Sequence, residues 1–498
     1  MRFDRQAGVF CHLTSLPGPH GIGDLGDGAR WFVDRLADAD QSLWQFCPLG
    51  PTSGAMGDSP YQSYSAFAGN PLLVSLDRLH EAGWLTDDDL DPADVPEFDD
   101  ARVDYDRVRS FKRERLRRAF ERFRREAGDA EREAFSAFRE REAGWLSEYA
   151  LFMALKSARD GEMWTDWPAG LKRRDPDALA DARERHADAV DRLAFQQWVF
   201  DRQWRALADY AAERGVSLVG DLPIYVALDS ADVWASPDAF QLDDANEPVA
   251  VAGVPPNPDD DGQRWGNPLY DWDRLAETGY EWWLARLRRL FDLVDVTRVD
   301  HFKGFDSYYA IPAEVDDPDA GEWREGPGAD FLRAVEAEFG ALPFIVEDLG
   351  FPDRSLVELM GRFDLPGMRV PQYADWCREG DMHQPMHYPR DCVGYTSTHD
   401  TDTVVGYYRD LPARQRDCLQ YNLGTDAEAI HWDIIGAVWR SEAVLTFTTP
   451  QDLLGLGSDA RMNTPGTERG NWSWRLTREA LTDEAVTRLG QVTDEAIR

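Results

Sequence analysis

Short apolar runs recur along the chain, and each ends in a polar or charged residue. They do not alternate strictly between apolar and polar positions, and amphipathic segments lie between most of them. Continuous apolar strands separated by amphipathic helices are typical of a parallel sheet covered by helices. The predicted strands are Val9–His12, Leu43–Pro48, Val216–Asp221, Val294–Asp300, Pro343–Glu347, Met368–Pro371, Val393–Thr398 and Val444–Thr449.

The segments between these runs carry apolar residues at helical spacing. They predict helices over Ala29–Ala39, Trp282–Phe291, Ala329–Phe339 and Arg354–Phe363. Eight strands that alternate with helices fit one (β/α)8 TIM barrel, and we expect it to span residues 1–498. The predicted fold class is therefore α/β.

The strands are unevenly spaced, which predicts two insertions in the barrel. About 170 residues separate the second run from the third, too many for one crossover helix. Residues 75–205 are expected to form a mostly helical insertion, because their middle part is rich in Arg and Glu with apolar residues at helical spacing. Residues 227–270 are rich in Pro, Gly, Asp and Trp, and predict a loop-rich insertion that borders the active-site cleft.

Composition and charge limit the classes of partner. The 498 residues are 43% hydrophobic and 29% charged, which is ordinary for a folded protein. The formal net charge is −38, and only four basic residues are Lys. Such a charge repels phosphate backbones and anionic lipids, so neither nucleic acid nor a membrane is an expected partner. Scattered acidic residues favour a halophilic protein kept soluble in concentrated salt; an acidic protein from a high-GC genome is the alternative.

The cysteines and the first residues of the chain indicate a cytoplasmic protein. The five cysteines are far apart and contain no CxxC pair, so we interpret them as small buried thiols in a reducing compartment. The N-terminal MRFDRQAGVF lacks the apolar core of a signal peptide, and no apolar run is long enough to span a membrane. We expect a monomer or weak oligomer.

Two motifs resemble ligand sites but lack the required context. Gly21–Gly26 matches the GxGxxG pattern of dinucleotide sites, yet Thr14–Pro19 separates it from the preceding strand. Residues 257–262 begin like a calcium-binding loop, but Pro268 stands where that loop needs a bidentate Glu. We therefore predict neither a cofactor nor a metal.

Carboxylates at the ends of predicted strands carry the candidate chemistry. In a (β/α)8 barrel all strands end at one rim, where their terminal side chains converge. Cleavage of a glycosidic bond needs two carboxyl groups, one protonated to assist the leaving oxygen and one ionised. Asp300, Glu347 and Asp400 each close a predicted strand, and we predict that they form this site.

The residues around these carboxylates suggest how their roles divide. Arg298 lies two residues before Asp300, on the same face of the strand, and we expect it to lower the pKa of Asp300 as a nucleophile requires. The apolar approach to Glu347 and the nearby Asp300 are expected to raise the pKa of Glu347, which suits a general acid and base. Asp400 could bind sugar hydroxyls and position the ring.

Aromatic residues in loops support a sugar ligand. Tyr61 lies in Asp58–Ser63 and Trp265 in Gln263–Pro268, both rich in Pro or Gly and outside periodic elements. An aromatic ring with a polar edge covers the apolar face of glucose while still binding its hydroxyls.

Taken together, these segments resemble the 4-α-glucanotransferases of the amylomaltase type (disproportionating enzymes, glycoside hydrolase family 77), which are relatives of the α-amylase-like barrels. The resemblance runs in family order over about residues 8–476 and is weakest between about 95 and 200. It rests on His12–Gly26, Gly57–Ser63, Gly220–Val226, Gly253–Pro256, Gln263–Tyr270, Arg298–Phe305, Glu347–Gly350, Leu365–Met368, Thr398–Asp400, Ser458–Asn463 and Gly470–Trp472.

The resemblance implies transfer of α-1,4-glucan segments between maltooligosaccharides or glucans, with retention of configuration and without a cofactor. It implies that Asp300 is the nucleophile, Glu347 the general acid and base, and Asp400 the transition-state stabiliser. The residues that it implies as substrate-binding are Ser59, Tyr61, Asp221, Gln263, Trp265, Arg298, His301, Asp348, His399 and Asn463.

Two positions depart from the family pattern. Residues 257–261 stand where the family often has an aromatic pair in the loop that covers the cleft, and Met56 stands where relatives can carry Tyr. These changes bear on the ratio of transfer to hydrolysis and on the preferred chain length. An α-glucan hydrolase with the same site is therefore the main alternative. A catalytically silent glucan-binding protein and a nucleotide-dependent oxidoreductase are the alternatives from other classes.

Overall fold

The computed structural model describes residues 3–257, 261–350, 352–467 and 469–498. Within these ranges eight parallel strands close into a barrel, which confirms the predicted α/β fold. The strands are β1 (Gln6–Phe10), β2 (Leu43–Gln45), β3 (Ser217–Pro223), β4 (Ala250–Val254), β5 (Gln263–Pro268), β6 (Val296–Asp300), β7 (Ser307–Pro312), β8 (Glu322–Glu325), β9 (Phe344–Val346), β10 (Gly367–Arg369), β11 (Cys392–Tyr395) and β12 (Leu445–Thr448).

The barrel strands are paired in chain order, β1-β2-β3-β6-β9-β10-β11-β12, and β12 pairs with β1 to close the ring. Every predicted strand corresponds to one of these strands. Aromatic side chains fill the interior, where Tyr395 stacks on Phe447 with ring centroids 5.2 Å apart and donates a hydrogen bond to Gln45 Oε1. The barrel is therefore a packed core, and its rim is left for chemistry.

Helices cover the barrel and build its largest insertion. They are α1 (Asp27–Asp38), α2 (Leu76–Glu81), α3 (Tyr105–Glu126), α4 (Asp129–Arg141), α5 (Ala143–Ala158), α6 (Ala169–Lys172), α7 (Pro176–Arg185), α8 (Ala187–Glu213), α9 (Ala231–Ala235), α10 (Trp272–Glu277), α11 (Glu281–Phe291), α12 (Lys303–Asp306), α13 (Gly328–Phe339), α14 (Arg354–Arg362), α15 (Val404–Asp410), α16 (Ala413–Leu423), α17 (Ile430–Arg440), α18 (Pro450–Leu453) and α19 (Asp483–Ala496). The four predicted helices correspond to α1, α11, α13 and α14. In the described ranges no helix is both long and apolar enough to cross a membrane.

The segment 227–270 is more regular than its Pro and Gly content predicts. Strands β4 and β5 pair antiparallel, and β4 also pairs with β7, so that β5-β4-β7-β8 form a four-stranded sheet. The expectation of loops missed this sheet, because β7 and β8 follow about 40 residues after β5 and were not predicted. Strand β5 carries Gln263 and Trp265 and holds them against the rim of the barrel.

Two cysteines correct the prediction of free thiols. Cys377, after β10, and Cys418, in α16, form a disulfide whose Cα atoms are 5.3 Å apart. These residues are 41 positions apart in the chain and meet only because α16 packs against the segment after β10. Cys11, Cys47 and Cys392 are buried thiols, as predicted.

Candidate active site

The carboxyl ends of the barrel strands surround a cleft of about 850 Å³. Asp300 ends β6, Glu347 directly follows β9, and Asp400 lies five residues beyond β11. Because parallel strands end at one rim, the fold brings these three carboxylates together. The other predicted residues that line the cleft are Ser59, Tyr61, Gln263, Trp265, His301, His399 and Asn463.

Three predicted substrate-binding residues do not line the cleft. The Asp221 and Arg298 side chains are 0% and 5% exposed, and Arg298 Nη1 lies 2.7 Å from Asp221 Oδ2. Asp348 pairs with Arg369 at 2.9 Å and accepts a hydrogen bond from the backbone N–H of Met368. These contacts occupy the Asp348 carboxylate at β10, so the structure does not place it against a sugar.

Arg298 joins the first two carboxylates of the cleft. Its Nη2 lies 2.8 Å from Asp300 Oδ1 and 2.9 Å from Glu347 Oε2. Glu347 Oε2 also accepts a hydrogen bond from the backbone N–H of His301 at 2.8 Å. His301 has a φ of +50°, in the left-handed region that non-glycine residues seldom adopt. The turn after β6 therefore aims a backbone donor at Glu347.

The structure reverses the predicted order of pKa values in this pair. Burial raises the pKa of Asp300 well above its usual range; Arg298 opposes the rise, while Glu347 and Asp221 add to it. Burial also opposes ionisation of Glu347, but Arg298 and the His301 N–H lower its pKa. Arg298 acts on Asp300 in the predicted direction, but burial and the neighbouring carboxylates outweigh it, and the predicted rise in the pKa of Glu347 is wrong for this geometry. The reason is the additional backbone donor on Glu347, which the sequence does not reveal.

Asp400 is held as a carboxylate in the same cleft. Asn463 Nδ2 donates to Asp400 Oδ1 at 2.6 Å, and His399 Nε2 lies 3.1 Å from Oδ2. Burial opposes ionisation, but His399 and Asn463 lower the pKa of Asp400 to about 2. Arg461 donates to the backbone carbonyls of Asp400 and Asn463, and fixes the two segments together.

Aromatic rings form two walls of the cleft. The Tyr61 ring stacks on His399 with centroids 4.8 Å apart, and its hydroxyl donates to Asp221 Oδ2 at 2.7 Å. Trp472 packs beside Tyr61, and Trp265 meets the ring of His301 edge-on at 4.8 Å. These rings offer flat apolar surfaces next to the carboxylates, which suits the faces of a sugar chain.

Sequence reasoning missed two residues of this site, Arg461 and Trp472. Both lie within segments that carry the family resemblance, Ser458–Asn463 and Gly470–Trp472. Membership of these segments was the signal that could have identified them. Of the two departures from the family pattern, Met56 lines the cleft. Pro258, Asp259 and Asp260 lie outside the described residues. In the described part of the chain, no cluster of three or more His, Cys, Asp or Glu could hold a metal ion.

A closed (β/α)8 barrel with carboxylates and aromatic walls at its carboxyl rim defines the class of carbohydrate-active barrel enzymes. The model of the 4-alpha-glucanotransferase family, glycoside hydrolase family 77, matches residues 11–482. The chain is 44% identical to a 4-alpha-glucanotransferase of Thermus thermophilus over 98% of each chain. It is 43% identical to one of Synechocystis sp., over 98% of this chain and 97% of the relative.

The solved structures show the same family. The amylomaltase from Streptococcus agalactiae in complex with acarbose matches with a TM-score of 0.95 and 34% identity, over 99% of each chain. The chain belongs to the 4-alpha-glucanotransferase family, glycoside hydrolase family 77, and is a glycosyl-transferring enzyme. The resemblance found in the sequence is thereby confirmed.

Proposed function

We propose that this enzyme transfers α-1,4-glucan segments by a retaining double displacement, with Asp300 as nucleophile, Glu347 as general acid and base, and Asp400 as stabiliser of the transition state. The observation that carries the proposal is the sharing of Arg298 Nη2. Because Asp300 Oδ1 and Glu347 Oε2 both lie within 2.9 Å of it, they are at most about 6 Å apart. Inverting enzymes leave about 6.5–9.5 Å between their carboxyl groups for a water and retaining enzymes about 5–5.5 Å, so this upper bound favours retention.

In the first step an Asp300 oxygen attacks C1 of the donor sugar at the bond to be broken. The bond from C1 to the leaving 4-oxygen breaks, and that oxygen takes the proton of Glu347. A covalent glucosyl ester on Asp300 results. Asp400, ionised and fixed by Asn463, stabilises the positive charge that develops on the sugar ring.

In the second step the 4-hydroxyl of an acceptor glucan attacks C1, and its proton passes to Glu347. The ester bond breaks, and Asp300 is released as a carboxylate. These two steps require that, when the donor glucan binds, Glu347 is protonated and Asp300 is ionised. We infer that a sugar ring lying between the two carboxyl groups separates them, so that Glu347 no longer raises the pKa of Asp300.

Incubation of the purified protein with maltotriose tests the reaction. We expect a ladder of longer maltodextrins together with glucose. Glucose and maltose without longer chains would instead identify a hydrolase, the alternative suggested by residues 257–261. Comparing the yield of free glucose with and without added acceptor separates the two activities.

Two substitutions test the roles. Asp300→Asn should abolish transfer without loss of the fold, whereas Asp238→Asn, at an exposed position outside the cleft, should not. Glu347→Gln should lose much less activity on an α-maltosyl fluoride donor than on maltotriose, because fluoride leaves without a proton. Ordinary transfer by Asp300→Asn would refute the assignment of the nucleophile.

We also propose a cytoplasmic, salt-adapted enzyme, on the strength of the buried thiols Cys11, Cys47 and Cys392 and of the net charge of −38. The Cys377–Cys418 disulfide weighs against a strongly reducing compartment, where such bonds are rare. Thiol labelling of protein extracted under acid quench distinguishes the oxidised from the reduced pair in the cell.

A further inference from the structure

The guanidinium of Arg298 lies at the centre of the carboxylate cluster and has a partner at each nitrogen. Nη1 contacts both oxygens of Asp221, and Nη2 contacts Asp300 and Glu347. The remaining donor, Nε, lies 3.4 Å from Met368 Sδ. Met368 is thus the neutral partner of a cation whose other partners are carboxylates.

The thioether of Met368 is held firmly in place. The side chain is 0% exposed on β10, and the backbone N–H donates to Asp348 Oδ1 at 2.7 Å. Asp348 is itself paired with Arg369. Gly367 permits this approach, because a Cβ atom there would lie 2.4 Å from Asp348 Oδ2.

We propose that Met368 is a positioning residue of the transfer reaction, whose sulfur holds Arg298 Nε so that Nη2 faces Asp300 and Glu347 at once. The inference rests on the proposed function and deepens it. It also gives Asp348 a different task from the predicted contact with sugar, namely fixing the backbone of Met368.

A sulfur atom suits this position for an electrostatic reason. A carboxylate at Nε would add a fourth anion to a cluster in which three already share one cation, and an apolar side chain would leave a buried N–H without an acceptor. A thioether is a weak, polarisable acceptor that satisfies Nε and leaves the positive charge directed at the carboxylates. The titratable groups that act most strongly on Arg298 are Asp221, Asp300, Glu347 and Tyr61. Cys47, Tyr373, Tyr395 and Asp400 also interact with it electrostatically.

Met368→Leu tests the inference, because it removes the acceptor and nearly conserves the side-chain volume. A tilted guanidinium would stabilise the ionised carboxylates less, so the first ionisation of the Asp300 and Glu347 pair should require a higher pH. We expect kcat for maltotriose transfer to fall about tenfold with little change in KM, and the acidic limb of the pH profile to move to higher pH. Met360→Leu, in α14, is the matched control, since Met360 is a buried methionine of the apolar core and does not line the cleft.

Met368→Gln supplies an amide oxygen to Nε, and its acidic limb should lie closer to that of the wild type than to that of Met368→Leu. A Met368→Leu enzyme with the wild-type acidic limb and kcat within about twofold would overturn the proposal. Equal losses in Met368→Leu and Met360→Leu without a shift of the limb would also overturn it, because packing alone would explain them. If Met368→Leu does not fold, Met368→Gln decides: an unmoved limb supports the proposal and a limb shifted to higher pH contradicts it.

These outcomes are distinct from failure of the proposed function. Transfer by Asp300→Asn would remove the mechanism altogether. An inactive Asp300→Asn together with an unshifted Met368→Leu profile would leave the mechanism intact and remove only the role of Met368.

Discussion

Lys112 in α3 is a buried cation that ties the helical insertion to the barrel. Its side chain is 0% exposed, and its Nζ lies 3.0 Å from Asp24 Oδ2, 2.8 Å from the carbonyl oxygen of Leu72 and 2.9 Å from that of Val74. All three ammonium protons therefore have acceptors. Asp24 belongs to the Gly-rich segment Gly21–Gly26, which matches the GxGxxG pattern. In the structure this segment anchors α3 to the barrel through Asp24.

Lys112→Met keeps most of the length of the side chain and removes the charge. Asp24 would keep the hydrogen bond from the N–H of Gly26 but would lose its cation, and two buried carbonyls would lose their donor. Breaking a buried ion pair by removing one partner destabilises a protein by about 3–5 kcal/mol. Freeing the Lys side chain regains at most about 2 kcal/mol of conformational entropy. Measured losses for broken buried ion pairs already include this gain.

Urea unfolding followed by circular dichroism should therefore show a loss of about 3–5 kcal/mol for the transition that includes α3. Hydrogen exchange should rise in residues 13–26 and 105–126 before it rises elsewhere. Lys172→Met is the matched control, because the Lys172 pair with Glu247 is partly exposed and should contribute less than about 1 kcal/mol. Adding Asp24→Asn to Lys112→Met should recover part of the loss, since no unpaired carboxylate remains. The reasoning is refuted if Lys112→Met is no less stable than Lys172→Met.

Three further predictions concern the cleft and the charge. Tyr61→Phe removes a hydrogen bond to the Asp221 carboxylate but keeps the ring on His399, so kcat/KM should fall about tenfold to a hundredfold, and an unchanged value would contradict this role. Asn463→Asp replaces a donor to Asp400 with a second carboxyl group, which should raise the pKa of Asp400 from about 2 and move the acidic limb of kcat to higher pH; an unmoved limb would show that ionised Asp400 is not required. Raising KCl from ~0.2 M to ~2 M should raise the melting temperature, because salt screens the repulsion within a chain of net charge −38, and a flat or falling value would refute the halophilic interpretation.

The barrel could be predicted because the apolar pattern of each of its strands lies within one short segment of the sequence. The barrel strands are largely buried and so lie in short runs rich in apolar residues, which a single segment of sequence is enough to reveal. The sheet that carries Trp265 gives no such signal. Its outer strand β8, Glu322–Glu325, is largely exposed and polar, and β5 contains Gly266 and Pro268, so only the pairing with β4 and β7 makes these segments strands.

In the active site, too, features set by one local segment could be predicted, whereas features set by contacts between distant segments could not. Asp300, Glu347 and Asp400 could be placed from the sequence, because each follows a strand and all strands of a barrel end at one rim. Asp348 could not be placed correctly, since its partner Arg369 comes from the neighbouring strand β10. The disulfide between Cys377 and Cys418 depends in the same way on how α16 packs.

The pKa values of the pair show why proximity in sequence is a poor guide to electrostatics. Arg298 was expected to lower the pKa of Asp300, because both lie on β6 with their side chains on one face. In the fold its guanidinium is shared by Asp221 and Glu347 as well, and Glu347 gains the N–H of His301. One cation shared by three carboxylates cannot favour the ionised form of all of them equally, and the pKa of Asp300, which lacks the backbone donor of Glu347, is raised. In the proposed mechanism, a donor sugar that enters between Asp300 and Glu347 separates the two groups and so moves the proton of the pair to Glu347. We infer that the set of acceptors around Arg298, which Met368 completes at Nε, influences when Asp300, the proposed nucleophile, becomes ionised.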